Sequence, residues 1–516
     1  MEKLERKGMA VRWQGVVIAL LLALVAFVVL NVCSYWNNGE SGSLDFDQTI
    51  FYLIGRAWYE GHLPYVDVWD SKGPLVFLFN GLGQIFHTGP KGVLWVQILN
   101  FACVLWTAWL CLRRRCGRGQ TAACVSLFIA AYVIVCSCGN QVGDYTLALS
   151  VASVSCTYWW SLRLERGQVE HPGRYAFLYG VFFAGCLLSR LTNAMVLVAS
   201  VGAIGVMLVW HRRWGNLVRN VCAFLVGFVC CMAPFAVYFA WHGAWGEMWY
   251  AMFWYNIEYA LHSSPLPVAS QCGWVYLVFY FIALLSVPVY AVAVWPDGKR
   301  RVVAVFWCVV TVPVALWLIN SYANANYAIS YLPVLLVSLQ QLMPRPCDKT
   351  VRDNYGDTCD GRIINEKADD RKNKRSRWRS RCALTAIVLV TCVGCVNQLR
   401  LYRIWNGQSD ESKEAQNRLA LAIPHSDTMV AYNCSPGVYV ATGKLPHCRF
   451  FVCQDWAIQN GASLRAKVRE AYEHTDAQWI LVEDMEHCAI RDILHRRYRV
   501  VKADKAHHLV LMRLKR

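Results

Sequence analysis

The chain has 516 residues, of which 56% are hydrophobic and only 16% are charged, and its mean hydropathy is positive. Several apolar runs are long enough to cross the hydrocarbon core of a bilayer, so the composition predicts a polytopic, mainly helical membrane protein. The net charge of +17 would suit a nucleic-acid partner, but Lys and Arg concentrate in short stretches between apolar runs, as they do in cytoplasmic loops. We therefore exclude nucleic acid as a partner.

The amino terminus carries basic residues ahead of the apolar run GVVIALLLALVAFVVLNVC, and no small-residue cleavage site follows that run. This pattern predicts an uncleaved first span that keeps the amino terminus in the cytoplasm. The next stretch, DFDQTIFYLIGRAWYEGHLPYVDVWDSKGP (45–74), then lies outside. Its five carboxylates face only Arg56 and Lys72, with aromatic residues between them. Such a composition is typical of a site at a membrane surface, and an ordinary solvated loop is the alternative.

Further apolar segments follow along the chain, and together with the first they predict about eleven to thirteen transmembrane helices. They are Pro74–Phe86, Gly92–Leu112, Thr121–Ser137, Tyr145–Leu162, Tyr175–Ser189, Ala194–Trp210, Val218–Trp241, Trp274–Val294, Val302–Asn320, Ala328–Leu342 and Cys382–Val396.

The distribution of basic residues predicts the sidedness of the loops. The stretches Arg371–Arg381, Arg300–Arg301 and His211–Arg219 are expected in the cytoplasm, whereas Trp241–Gly273 and Asn320–Tyr327 contain no Lys or Arg and are expected outside.

One segment does not fit this alternation. If Arg113–Arg118 is cytoplasmic, the short segment Pro74–Phe86 has no room to cross the membrane. Either it lies obliquely or re-enters, which surrounding protein would permit, or it crosses and the arginine cluster breaks the bias. The sequence leaves both alternatives open.

The composition changes past Arg400, where apolar runs shorten and polar residues dominate. Three segments read as buried strands and one as a helix, which predicts a small extracytoplasmic α/β domain. The strands are Thr428–Tyr432, Trp479–Glu483 and His508–Met512, and the helix is Ser463–His474. We expect a transmembrane domain over 1–400, which includes a first extracytoplasmic loop (34–73) and a mobile, basic cytoplasmic linker (343–381), and a soluble domain over 401–516.

Most of the 23 cysteines lie in apolar spans, where a thiol acts as a small hydrophobic group. Cys434, Cys448, Cys453 and Cys488 lie in the expected outer domain, so we expect one or two disulfides among them. The CxxC at Cys392–Cys395 has no second pair that would complete a zinc site, and the chain has no GxGxxG or Walker motif. A divalent metal is thus without support in the sequence.

The first loop carries a resemblance to a known family. The pattern from Asp47 to Arg56, followed by EGHLPYVDVWDSKGPL from Glu60 to Leu75, resembles the first extracytoplasmic loop of GT-C fold glycosyltransferases. It is most similar to the bacterial family 39 type, which is related to protein O-mannosyltransferases and lipid A aminoarabinose transferases. The arginine in Ser189–Thr192, the run Tyr327–Pro333 and the soluble tail fit the same family more loosely.

The resemblance implies transfer of a sugar from a polyprenyl-phosphate donor, at the outer face of the plasma membrane, to a glycan, lipid or protein acceptor. Asp47 matches the catalytic position and would accept the proton of the acceptor hydroxyl. The leaving phosphate needs a cation, and Lys72 and Arg190 are the expected residues. In-line attack would invert the anomeric centre, whereas a second carboxylate acting as nucleophile would retain it. Where relatives often carry an acidic residue and a histidine, this chain has Gln48 and Asn326.

Weaker site candidates each have a structural alternative. Asp70 binds substrate or pairs with Lys72, and Asp144 and Tyr145 either line the acceptor groove or open a helix, with Asp144 as its cap. Tyr327 is a further substrate-binding candidate. The aromatic stretch EMWYAMFWYNIEYALHSSP (247–265) is either an interfacial belt or a surface that stacks on a sugar.

The sequence thus favours a GT-C-like membrane glycosyltransferase. Two other classes stay open. One is a transporter or flippase, although no internal repeat is evident and acidic residues are rare in the spans. The other is a non-catalytic envelope assembly protein that has kept the fold.

Overall fold

The computed structural model describes residues 2–34, 46–136, 139–262, 291, 298–320, 325–342, 366–406, 410–460 and 462–515. The fold is mainly helical with one small sheet near the carboxyl terminus, as the sequence predicts. The helices of the first part are α1 (Glu2–Cys33), α2 (Phe46–Tyr59), α3 (Pro74–Phe86), α4 (Pro90–Arg113), α5 (Arg118–Val135), α6 (Leu147–Glu165), α7 (Gly173–Leu187), α8 (Met195–Trp210), α9 (Trp214–Trp241), α10 (Trp245–Trp249), α11 (Tyr255–His262), α12 (Gly298–Asn320), α13 (Leu332–Leu342) and α14 (Glu366–Asn406).

The chain is a multi-pass membrane protein. Across the described ranges, six helices are long and apolar enough to cross a bilayer: Trp13–Cys33, Pro90–Arg113, Arg118–Val135, Leu191–Trp210, Trp214–Trp241 and Leu384–Arg403. Shorter apolar helices are Pro74–Phe86, Gly173–Leu187, Arg301–Trp317 and Leu332–Gln341. The predicted segment Trp274–Val294 lies outside the described residues, except for residue 291.

The predicted first extracytoplasmic loop (34–73) contains a helix, where the sequence pattern indicated only a loop. Helix α2 buries nine of its fourteen residues, among them Ile50, Leu53, Ile54 and Ala57, which recur at helical spacing. No proline interrupts it. Because its apolar face packs on α3, this segment is part of the protein core, and only the stretch after Tyr59 has the irregular backbone of a loop.

The structure decides how α3 lies. The Arg118 guanidinium donates to the Gln14 side chain over 2.8 Å, so the start of α5 lies beside the start of the first span. Phe27, late in α1, contacts Trp95, early in α4, with ring centroids 6.0 Å apart. Helix α4 therefore begins where α1 ends and runs back antiparallel to it. Thirteen residues of α3 extend only about 20 Å, less than the thickness of the hydrocarbon core, so the geometry favours the oblique or re-entrant alternative for this helix.

Close packing of α7 and α9 holds α7 in place, and this helix ends three residues before the predicted site residue Arg190. A Cβ on Gly180 would meet the Phe224 carbonyl oxygen at 1.9 Å, and one on Gly227 would meet that of Phe177 at 2.1 Å. Only glycine allows the two backbones to approach this closely.

The carboxyl-terminal part forms a four-stranded sheet with flanking helices. Its strands are β1 (Met429–Tyr432), β2 (Trp479–Glu483), β3 (Tyr498–Asp504) and β4 (Leu509–Leu514), and its helices are α15 (Glu411–Leu421), α16 (Gly437–Thr442), α17 (Gln454–Asn460), α18 (Ala462–His474) and α19 (Arg491–Arg497). The strand order is β1-β2-β4-β3, with β1 parallel to β2 and the other pairs antiparallel. Three of these strands were predicted. The fourth, β3, is an exposed edge strand and lacks a buried face that would mark it.

Helix α14 begins within the predicted linker, since residues 366–381 form its first turns; this stretch has eight helix-forming Lys and Arg residues and no Pro or Gly. The boundary predicted at residue 400 falls within this helix and stays a prediction. The expectation of disulfides needs correction, because Cys434, Cys448, Cys453 and Cys488 are all free thiols. Cys434, for example, is buried with its sulfur 3.6 Å from the Leu481 carbonyl oxygen, so it packs in the core of the sheet.

Candidate functional site

The structure brings most of the predicted site residues together. Asp47 lies in the first turn of α2 with an exposed side chain. Asp47, Asp70, Arg190 and Tyr327 all lie close enough to Lys72 to act on its charge. Residues far apart in the sequence thus form one cluster of two carboxylates, two cations and an aromatic ring.

A tight turn shapes the segment that carries Lys72. The Asp70 carboxylate accepts a hydrogen bond from the Lys72 backbone N–H (2.8 Å), and the Tyr65 hydroxyl donates to the Lys72 carbonyl (2.8 Å). Burial raises the pKa of the Asp70 carboxyl, the Lys72 ammonium opposes that rise, and the Asp47 carboxylate adds to it. Burial acts to lower the pKa of Lys72, but Asp70 and Asp47 outweigh it and hold this pKa above its ordinary value. Lys72 is therefore a cation at neutral pH.

Two backbone hydrogen bonds join this turn to the segment before Arg190. The Gly73 N–H donates to the Ser189 carbonyl (3.0 Å), and the Leu75 N–H donates to the Leu188 carbonyl (2.9 Å). A Cβ on Gly73 would lie 2.1 Å from the Leu188 carbonyl oxygen, so only glycine fits. This junction sets the distance between the two predicted phosphate ligands.

Arg190 is oriented from two sides. Its guanidinium lies over the Tyr327 ring, 4.0 Å from the centroid, and its Nε and Nη2 both donate to the Asn193 Oδ1 over 3.3 Å. A planar cation held in this way is pre-organised to bind a phosphate. The Asn193 amide nitrogen is buried without a hydrogen-bond partner among the described residues. The sequence analysis missed Asn193, because an Asn after a helix end is ordinarily read as a turn residue.

A buried amide network supports the turn of α2 that bears Asp47. The Asn140 Nδ2 donates to the Gln48 carbonyl (3.3 Å) and to the Asn80 Oδ1 (2.9 Å), and its Oδ1 accepts from the Tyr145 hydroxyl (2.6 Å). Asn140 adopts a positive φ of 51°, which Asn tolerates better than most residues. Gly and Asn are common turn residues, but nothing in the sequence indicates what the turn at 139–140 contacts.

Asp144 and Tyr145 lie beside this network and not among the exposed site groups. Both oxygens of the buried Asp144 carboxyl accept hydrogen bonds, one from the Tyr132 hydroxyl (3.0 Å) and one from the Gln141 N–H (2.8 Å). Burial raises the pKa of Asp144 to about 7. The Tyr145 ring stacks on Phe79 with centroids 4.5 Å apart. These contacts favour a structural role in the core for both residues, but Asp144 accepts from the Gln141 N–H and does not cap the helix that follows.

The carboxyl-terminal domain covers the turn that carries Lys72. The Trp69 N–H donates to the Arg449 carbonyl (3.0 Å), and Arg449 and Lys467 both pair with Glu247. Burial acts to raise the pKa of Glu247, but the hydrogen bonds and charges of Arg449 and Lys467 hold it below its ordinary value. Cys453 follows Arg449 in the chain and lies near the site. Burial and the nearby Asp47 and Asp70 carboxylates raise the pKa of the Cys453 thiol to about 12.

Across the described part of the chain, no three His, Cys, Asp or Glu side chains are grouped so that they could hold a metal ion. The cluster consists of two carboxylates, two cations and an aromatic ring, and such groups can accept a proton and bind an anionic oxygen.

Comparison with solved structures shows that this is the fold of the GT-C membrane glycosyltransferases. ArnT from Cupriavidus metallidurans bound to undecaprenyl phosphate is similar with a TM-score of 0.55 at 12% identity, over 96% of this chain and 97% of that chain. The apo state of the same protein gives a TM-score of 0.55 at 12% identity, over 98% of each chain. The resemblance predicted from the first loop is therefore confirmed at the level of the fold.

One protein-family model matches part of the chain. Residues 71–241, about a third of the chain, match the family model described as dolichyl-phosphate-mannose-protein mannosyltransferase. The match begins directly before Lys72 and includes Arg190, whereas Asp47 precedes it. A search of curated protein sequences finds no match.

Proposed function

We propose that this protein is a membrane glycosyltransferase that moves a sugar from a polyprenyl-phosphate donor to a glycan, lipid or protein acceptor outside the cytoplasmic membrane. The observation that carries the proposal is the clustering of Asp47, Asp70, Lys72, Arg190 and Tyr327. A carboxylate beside two cations suits the transfer of a group away from a phosphate.

Lys72 and Arg190 hold the donor phosphate in this proposal. Cleavage of the bond between the sugar and the phosphate turns a diester into a monoester, so negative charge grows on the leaving oxygens. Lys72 supplies a point charge, and Arg190 supplies a planar fork that Tyr327 and Asn193 keep in one orientation. The Gly73–Ser189 junction keeps the two cations at a fixed spacing, so the site needs little reorganisation when the phosphate binds.

Asp47 is the general base in this proposal. It is exposed, whereas the Asp70 carboxylate is engaged by the Lys72 N–H. Asp47 takes the proton from the acceptor hydroxyl as its oxygen attacks the anomeric carbon, and the bond to the phosphate oxygen breaks on the opposite side. This single displacement inverts the anomeric centre.

We place the site and the domain over 401–516 on the extracytoplasmic side. The basic stretches predict that the start of α1 is cytoplasmic, and the domain contacts the turn at Trp69, which follows the far end of that helix.

Sugar transfer in membranes tests the proposal. Membranes from cells that lack the protein are complemented with wild type, Asp47→Asn or Glu60→Gln, and supplied with a panel of radiolabelled polyprenyl-phosphate sugars. The amide keeps the shape of the carboxylate but does not accept a proton at neutral pH, so we expect transfer with wild type and a loss of about 100-fold or more with Asp47→Asn. Glu60→Gln is the control, because Glu60 pairs with Arg56 at the exposed end of α2. Normal transfer by a folded Asp47→Asn protein would refute the base assignment.

A further inference from the structure

The Tyr255 side chain carries a buried hydroxyl group to which none of the described residues is hydrogen-bonded. Only 2% of Tyr255 is exposed, and its hydroxyl has no hydrogen-bond partner among the residues that the structure describes. Burying a polar group without a partner is unfavourable, and the large majority of buried side-chain polar atoms in proteins are paired. This hydroxyl is therefore open to a partner other than the described residues.

Tyr255 lies among aromatic rings and polar groups beside Asp70. Its ring meets the Trp69 ring edge to face, with centroids 5.1 Å apart and planes at 87°. The Trp69 Nε1 is also buried without a hydrogen-bond partner in the described part of the chain, and its ring contacts Phe450 of the carboxyl-terminal domain at 5.5 Å. Asp70 and Cys453 both lie close enough to act on the Tyr255 hydroxyl.

Neighbouring contacts fix this arrangement. Asn256 follows Tyr255 in α11. Its side chain donates to the Ser71 carbonyl over 2.9 Å and so holds the start of this helix against the turn that carries Lys72. Glu247 pairs with Lys467 at 3.1 Å and holds the same segment to the carboxyl-terminal domain. Tyr255 is thus not part of an exposed aromatic belt, although Trp254 beside it is 58% exposed.

We propose that the Tyr255 hydroxyl, with Asp70 and Trp69 beside it, binds a hydroxyl group of a sugar ring at the boundary between the membrane part and the carboxyl-terminal domain. A sugar hydroxyl both donates and accepts, so it can accept from Tyr255 while it donates to the Asp70 carboxylate. Aromatic faces with a few placed polar groups are the usual lining of a small-molecule site. This inference rests on the proposed function and deepens it, because it names the feature of the substrate that the site selects.

The sugar ring has two sources, the transferred sugar of the donor and a glycan acceptor. Monodeoxy analogues separate them, since a site built to hydrogen-bond a hydroxyl group discriminates strongly against a substrate that lacks it. If the donor sugar occupies the site, wild type loses its advantage over Tyr255→Phe with one deoxy donor. If the acceptor occupies the site, wild type loses that advantage with one deoxy acceptor.

The test compares Tyr255→Phe and Trp69→Phe with Tyr331→Phe in the full-length protein. Tyr331 is the matched control, because it is 1% exposed but lies near Thr311 and Cys308 instead of Asp70. Transfer is measured with undecaprenyl-phosphate-linked sugars and their monodeoxy analogues, and thermal unfolding of each purified variant is recorded alongside.

We expect Tyr255→Phe to unfold at the wild-type temperature or above, because it removes an unpaired hydroxyl, and to lose about tenfold in kcat/KM. With the critical deoxy substrate, wild type and Tyr255→Phe should be equally active. Wild-type activity of Tyr255→Phe with every natural substrate would overturn this inference alone. A lower unfolding temperature with unchanged selectivity would assign Tyr255 a structural role and overturn it equally. If wild type transfers no sugar from any donor, the proposed function fails and this inference fails with it.

Discussion

Gly73 gives the most direct test of how the site is assembled. Its φ of −73° and ψ of 158° suit any L-residue, so a side chain is excluded by contact and not by backbone strain. In Gly73→Ala the new Cβ would lie 2.1 Å from the Leu188 carbonyl oxygen and 2.6 Å from the Ser189 nitrogen. Both neighbours are backbone atoms, which have no rotamer through which to move away. The turn that carries Lys72 and the segment before Arg190 must therefore separate.

The cost follows from the contacts that are lost. Separation weakens two backbone hydrogen bonds, each worth about 0.5–1.5 kcal/mol, and overpacking adds about 1–3 kcal/mol, so the free energy of unfolding should fall by about 2–6 kcal/mol. The spacing between Lys72 and Arg190 changes as well. A displacement of about 1 Å at a reacting group costs about 100-fold in rate, which is the loss expected in kcat/KM.

Thermal unfolding in detergent and the transfer assay measure the two effects. Gly246→Ala is the matched control, since Gly246 also lies on the site side, in α10, and a Cβ there meets no atom within 4 Å. We expect the control to match wild type in both assays. If Gly73→Ala also matches wild type, the junction does not set the geometry of the site.

Three further predictions concern the supports of the site. Arg190→Lys keeps the charge but loses the stacked, planar fork over Tyr327 that stabilises the leaving phosphate, so kcat/KM for the donor should fall about tenfold with a fall in kcat; a steady-state titration of the donor measures this, and an unchanged kcat contradicts it. Asn140→Ala leaves the buried polar groups of its network unpaired and should lower the free energy of unfolding by about 2–4 kcal/mol in denaturant titrations, whereas a smaller loss than about 1 kcal/mol would show that the network is not stabilising. Glu247 has a lowered pKa, so its stabilising effect is fully present above the ordinary carboxyl pKa of about 4.3 and is lost as the pH falls through the lower folded value. Unfolding midpoints measured from pH 7 to pH 3 should therefore fall more steeply for wild type than for Glu247→Gln, and parallel curves would refute the role of this pair.

Much of the membrane part follows from the sequence because a bilayer imposes one demand on every span. About 20 apolar residues must shield a helical backbone, and this pattern is local, so α4 to α9 lie close to the predicted segments. The buried strands β1, β2 and β4 were also predicted, because each is a short apolar run. Helix α2 was not, because the charged residues around it obscured its apolar face.

Asp47, Asp70, Lys72, Arg190 and Tyr327 lie together in the structure, but the sequence did not show what positions them. Asp47, Lys72 and Arg190 carried chemical signals in their residue types and in the family pattern. Asn140, Asn193 and Tyr255 carried none, because an Asn at a turn or a Tyr in an aromatic stretch has a structural explanation in most proteins.

The sequence by itself determined the class of fold, the approximate spans and the residue types of the site, since these depend on local hydropathy and on a short motif. Only the tertiary structure showed that α4 runs back along α1, that the four carboxyl-terminal cysteines are free and that Gly73 fits against Leu188. Each of these depends on contacts between segments that lie tens to hundreds of residues apart. Such contacts arise from packing, and no local pattern in the chain encodes them.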